Sequence, residues 1–302
     1  MSYIKNPKWR PFFALLCACG WALAFPFIKL AYRELGIASA DTGSKVVVAG
    51  LRFAIAGLIV LLICAATKTS IKIENKSTLH WILLFALVNI TLHYCCSFIG
   101  LGYILSSRGT ILDSMGYFLL IVLSSLVFKE DTFTLKKVIG CLMGLSGIIL
   151  INVHPGERLF ADISFLGDGM ILFNSLFSAL GGIITRLISK KTNIVMATGY
   201  SMAIGGLGLM VIAFFFGLNE PWNISLKGIL LLLALATISA VCFYVYNQLL
   251  AWHPISKVAI FCAFVSILGV FFSTLFVGDP LKWQYVIAAA IVSVGVYLVN
   301  HN

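Results

Sequence analysis

Apolar residues in this chain come in runs too long for strands. Ten stretches of about 17 to 26 residues are almost wholly apolar, and short polar segments divide them. A bilayer core about 30 Å thick takes roughly 20 residues of helix, so each run fits one crossing. The pattern predicts helices over about 12–32, 46–66, 81–103, 109–128 and 135–153, then 165–188, 194–216, 226–251, 258–276 and 283–299.

A second periodicity lies over the first. Residues 101–151 reappear, without gaps, as 250–300 at an offset of 149. Ser107-Arg108 falls on Ser256-Lys257, Ile111 on Ile260, Ser124 on Ser273, Leu126 on Leu275 and Glu130 on Asp279. The chain therefore reads as two five-helix units, 1–155 and 156–302, with His154-Pro155-Gly156 at the junction. Five is odd, so the second unit enters the membrane from the opposite side. The expected fold is an all-α polytopic membrane protein, ten transmembrane helices forming a 5+5 inverted-topology repeat. Such repeats supply two nearly equivalent arrangements, one open to each face, which is how many secondary transporters alternate access.

Composition agrees with the helical pattern. Of 302 residues, 61% are apolar and 11% charged, and the mean hydropathy is +1.04. No water-facing globule could bury that surface. The net charge of +10 belongs to scattered loop residues rather than to a stripe, which argues against nucleic acid as a partner. With the N-terminus inside, the inner segments carry 13 of the 21 Lys and Arg and the outer ones 7, so both termini are expected in the cytoplasm. Short loops and bare ends point to a bacterial cytoplasmic membrane. The eight cysteines all fall within apolar runs and show no metal-ligand spacing, so they read as reduced core thiols.

Polar groups inside apolar runs carry the candidate chemistry, because they must face protein or water. Arg52 lies in the second helix, about 9 Å below its expected outer end, where it could snorkel, pair with a buried acid or meet a substrate carboxylate. Asn89, His93, Cys96 and Gly100 recur on one face of the third helix. His93 is either hydrogen-bonded to a neighbouring helix or a proton carrier and substrate contact. Asp113 stands about one turn into the fourth helix, where it could pair with Arg52 or serve the cargo. The sixth helix offers Asn174, and the eighth offers Tyr244, Asn247 and Gln248. Pro26 in the first helix and Gly181-Gly182 in the sixth mark expected kinks at corresponding places in the two halves. Gly140, Gly144 and Gly147 in the fifth helix signal close packing. Lys129-Glu130-Asp131 marks the inner interface after the fourth helix.

These features resemble the drug/metabolite transporter superfamily, ten-helix EamA type. The resemblance is carried by Gly50-Leu51-Arg52-Phe53-Ala54, by Leu126-Val127-Phe128-Lys129-Glu130 with its counterpart Leu275-Phe276-Val277-Gly278-Asp279, and by the Gly140 to Gly147 run. The second half departs from the pattern: the ninth helix lacks the usual small-residue start, Asp279 replaces the commoner glutamate, and Val296 stands where Gly147 would repeat. The resemblance implies a central cavity lined by helices 1, 3, 4, 6, 8 and 9, with helices 5 and 10 at the periphery. It also implies export of amino acids, related metabolites, amines or drugs without ATP, and the chain has no Gly-rich phosphate loop. His93-Tyr94 looks like the cavity pair of aromatic amino acid exporters of this family.

The expected function is secondary active transport of a small metabolite, foremost an amino acid or related zwitterion, with export as the direction. Trp21, His93, Tyr94, Asp113, Asn174, Tyr244, Asn247 and Gln248 are the expected substrate contacts. His93, Asp113 and Arg52 are the candidates for proton coupling or an ion pair. No cofactor, metal or catalytic residue is expected, and the partners are a small-molecule substrate and the lipid bilayer. Monomer and homodimer stay open. Transport of organic cations, amines or drugs is the first alternative; an intramembrane enzyme or a channel ranks lower, since nucleophile, base and orienting group do not converge in the sequence.

Overall fold

A computed structural model describes residues 2–129, 131–132, 134–152, 164–217, 222–279 and 283–300. The helices are α1 (Arg10–Glu34), α2 (Thr42–Ala66), α3 (Lys76–Tyr103), α4 (Ser106–Val127) and α5 (Leu135–Asn152), followed by α6 (Phe165–Ser189), α7 (Ile194–Phe216), α8 (Leu226–Trp252), α9 (Ile255–Val277) and α10 (Gln284–Asn300). A short turn, Ser2–Lys5, precedes them, and no strand occurs among the described residues. Eight are long and apolar enough to cross a bilayer; α5 and α10, with 18 and 17 residues, are the other two. The junction at 154–156 lies outside the described residues, as does Glu130.

Caps explain where several helices begin. Asp41 accepts a hydrogen bond from the Ser44 N–H at 3.0 Å, so α2 starts four residues before its apolar run. Asn75, Asn193 and Ser225 cap α3, α7 and α8 in the same way. Hydropathy alone reads the polar first turns of α2 and α3 as loop, whereas α7 and α8 begin at 194 and 226, where their apolar runs begin. The earlier start places Arg52 ten residues into α2, about 15 Å from its N-terminus.

Both expected kink positions lie inside continuous helices. α1 runs on as helix through Pro26, and α6 through Gly181-Gly182. In a bundle, neighbouring side chains and packing tolerate the proline. Gly181 makes room for α3 instead, since a Cβ there would collide with the Asn89 amide. The irregular backbone is a π segment in α3, Leu87–Leu92, another at the start of α6, Phe165–Gly169, and a 3₁₀ turn in α9, Ile260–Ala263.

Packing is densest between α2 and α7. A Cβ on Gly206 would strike the Ala54 backbone N–H, and one on Gly57 would strike Ala203, so missing side chains set the approach of these helices. The other main neighbours are α5 with α10, α1 with α8 and α9, α6 with α3 and α4, and α4 with α9. Exchanging each helix n for n+5 turns this set of pairs into itself. Gly140 of α5 lies against Gly295 and Val299 of α10, as the packing signal predicts.

The end of α4 is a buried polar knot, where the sequence predicts an interface marker. Asp131 is only 2% exposed. It pairs with the Lys137 ammonium at 2.6 Å and accepts from Ser124 Oγ at 2.8 Å. It also accepts from the Ser256 N–H at 2.9 Å and from the Ser256 hydroxyl. The carboxylate thus fastens α4 to the first turn of α9. At the other end of the same two helices, Ser273 Oγ donates to Ser106 Oγ at 3.1 Å.

Candidate functional site

A cavity opens between the halves. Its wall includes Trp21 of α1, Arg52 of α2, Asn89, His93, Tyr94 and Ser97 of α3, Asp113 and Tyr117 of α4, Ser178 and Thr185 of α6, and Phe243, Tyr246 and Asn247 of α8. Its volume is about 50 Å³, room for a few waters. The wall must part to admit a metabolite.

The π segment of α3 builds one side. An i→i+5 turn inserts a residue and rotates the helix beyond it. Thr91 holds this segment, donating to Ala86 O and to Gly205 O of α7, each at 3.2 Å. Beyond it, Tyr94 and Ser97 face the cavity beside Asn89 and His93, while Cys96 and Gly100, expected on the same face, do not line it. Gly100 packs against Ile171 and Gly167. His93 Nδ1 lies 3.1 Å from Asn89 O, and its ring lies against Tyr94 with centroids 4.2 Å apart.

Aromatic rings form much of the remaining wall. Trp21 stacks on Tyr117 and meets Tyr246 edge-on at 4.8 Å, with Phe243 at 5.7 Å. Two charged side chains of opposite sign share this cavity. Asp113 of α4 accepts a hydrogen bond from Asn174 Nδ2 of α6, so Asn174 stands behind the carboxylate instead of on the wall. Arg52 is 1% exposed and donates from Nε to Ser239 Oγ of α8 at 2.6 Å. Burial rules out the snorkelling anchor, because the guanidinium points inward. No ion pair joins Arg52 to Asp113; among the described residues the ion pairs are Arg108–Asp168 and Lys137–Asp131.

Several polar atoms here have no protein partner: Trp21 Nε1, Arg52 Nη1, Asn89 Nδ2, Tyr246 Oη and, behind Asp113, Asn174 Oδ1. Four of the five belong to groups that can donate and that line the cavity wall. Buried polar groups are nearly always satisfied, so such a cluster is chemically open to a ligand bearing acceptors.

The predicted contacts thus divide. Trp21, His93, Tyr94, Asp113 and Asn247 line the cavity, and Asn247 also donates to Thr198 at 2.9 Å. Tyr244 and Gln248 do not; Gln248 Nε2 bonds back to Tyr244 O. On α8 the inward face is Phe243, Tyr246, Asn247 and Leu250, one helical stripe on which an amide is the least predictable member. The ninth helix contributes none of the lining residues, and α2 contributes Arg52. Gly269 of α9 instead packs on Thr110 of α4. No group of His, Cys, Asp or Glu among the described residues is arranged to hold a metal ion.

The profile of the EamA-like transporter family matches the chain twice, over residues 8–153 and 165–301. A Synechocystis sp. protein named Uncharacterized transporter sll0355 is 30% identical over 272 residues, covering 84% of this chain and 81% of that protein. The Bacillus subtilis Uncharacterized transporter YyaM is 25% identical over 254 residues, covering 82% of each. A solved structure superposes with a TM-score of 0.74 over 95% of this chain and 96% of its own, at 15% identity, a likeness of fold alone.

Proposed function

We propose, for a chain that belongs to the EamA-like transporter family and is a multi-pass membrane transporter, that its cargo is a small zwitterion of the amino acid type. One observation carries this reading: a buried guanidinium and a half-buried carboxylate face the same cavity without pairing with each other. An α-amino acid offers the complement of both, its carboxylate for Arg52 and its ammonium for Asp113. The aromatic wall covers the rest of the molecule. Two halves exchange access to this site, as inverted repeats do, with His93 or Asp113 carrying the coupling proton. Export from a bacterial cytoplasm is the direction that the family resemblance implies, and the excess of Lys and Arg supports both termini on the inner side.

An amine or other organic cation is the second reading, favoured by Asp113 together with the ring faces of Trp21 and Tyr117. Ligand-induced thermal stabilisation of the purified protein separates the two. Asp113→Asn is expected to weaken amino acids about tenfold, the loss of one charge-assisted contact of about 1.4 kcal/mol, while deaminated carboxylic acids lose nothing. Amino acid shifts that survive Asp113→Asn unchanged would remove the ammonium contact from this scheme.

A further inference from the structure

Arg52 is held in place mostly by groups that lie outside the cavity: Ser239, Phe53 and Phe98, with Tyr94 of the wall. Ser239 of α8 is fully buried and is absent from the cavity wall, yet its hydroxyl accepts the Arg52 Nε–H at 2.6 Å. Three rings surround the guanidinium carbon, with centroids at 5.1 Å for Phe53, 5.7 Å for Tyr94 and 5.8 Å for Phe98. Nη1 is buried and has no partner. A guanidinium is a rigid planar fork. Anchoring Nε and packing rings around the plane removes its rotational freedom and leaves one edge to offer.

We propose that Ser239 is a positioning residue: it orients the Arg52 guanidinium so that the Nη1 edge forms a subsite for the α-carboxylate of an amino acid. The inference rests on the zwitterion reading. It assigns the carboxylate's affinity to a contact between the first half of the chain, which supplies Arg52, and the second, which supplies Ser239. A rearrangement of α2 against α8 during transport then turns the guanidinium and weakens the subsite, linking cargo release to the motion of the halves. The two amides of α8 do not substitute, since Asn247 is engaged with Thr198 and Gln248 with its own helix.

The test compares binding of each standard L-amino acid with binding of its decarboxylated amine, using purified wild-type protein, Ser239→Ala, Ser239→Cys and Ser239→Thr. Alanine removes the acceptor; cysteine keeps the size but is a poor one; threonine keeps the hydroxyl. The expected result is amino acid binding about tenfold weaker in Ser239→Ala and Ser239→Cys, the loss of one hydrogen bond to a charged group. Amine binding stays as in wild type, and Ser239→Thr restores amino acid affinity to within about threefold. A merely structural serine would move acids and amines together. Amino acid affinity unchanged in both Ser239→Ala and Ser239→Cys overturns the inference and leaves the zwitterion reading standing. Wild-type protein that binds the amines but no amino acid overturns that reading, and this inference with it.

Discussion

Arg52→Gln is expected to abolish amino acid binding, weakening it about 100-fold or more, while the empty protein melts no lower than wild type. The two halves of this result have one cause. Burying a guanidinium costs several kcal/mol, and a full hydrogen-bonded counter-ion is needed to offset it. Arg52 has a serine, three ring faces and no carboxylate partner. Replacing uncompensated buried charges by neutral groups of similar size is often neutral or stabilising, by about 1–4 kcal/mol. Truncating one side of a desolvated charge pair between protein and ligand costs about 2–5 kcal/mol. Stability and function therefore move in opposite directions at this residue. Thermal melts of both proteins, with and without an amino acid, check it. A variant that melts well below wild type when empty would mean that Arg52 serves folding instead of cargo.

Asp131→Ala carries the largest expected loss of stability, about 3–5 kcal/mol. The substitution leaves the Lys137 ammonium buried and unpaired and frees Ser256 and Ser124 at once. Burial alone would raise the Asp131 carboxyl, but the bonds from Lys137, Ser256 and Ser124 outweigh it and hold the group below its ordinary value. A depressed carboxyl contributes stability that is fully present above its unfolded pKa, about 3.9, and is lost as pH falls through the folded value. Wild-type melting temperature should therefore drop on acidification below about pH 4, and the drop should be smaller in Asp131→Asn. Melting curves between pH 3 and 7 in one detergent measure it; parallel curves for the two proteins would contradict the assignment.

The apolar runs made the fold legible because a bilayer tolerates little else. Boundaries were legible where an apolar run itself begins or ends at a cap or turn residue, as at Ile194 after Asn193 and at Phe216 before Gly217, whose φ is +74°. They were missed where a cap recruits polar residues into the first turn, as at Asp41. Three of the repeat's matched serines serve as scaffold. Ser124 and Ser256 meet on Asp131, tying α4 to α9, and Ser273 ties the same helices at their other ends.

The cavity was legible as a set of residue types but not as a face. His93 and Asp113 stand out because an ionisable group within an apolar run has few structural uses. Tyr94 entered only through a family likeness, and Ser97, four residues past His93 on the same face, was missed because a single serine in a helix carries little signal. Tyr246 was passed over for Tyr244 because two tyrosines two residues apart differ only in which side of α8 they occupy. Ser239 carried no signal at all. Its meaning depends on a contact across 187 residues of chain.

Counterflow into proteoliposomes tests the central claim most directly. Vesicles holding the purified protein are preloaded with one amino acid, and entry of labelled amino acids, their decarboxylated amines and their deaminated acids is followed in parallel. The account predicts exchange of molecules that carry both a carboxylate and an ammonium group, lost in Arg52→Gln. Amines that exchange as fast as the parent amino acids, in wild type and in Arg52→Gln alike, would contradict it.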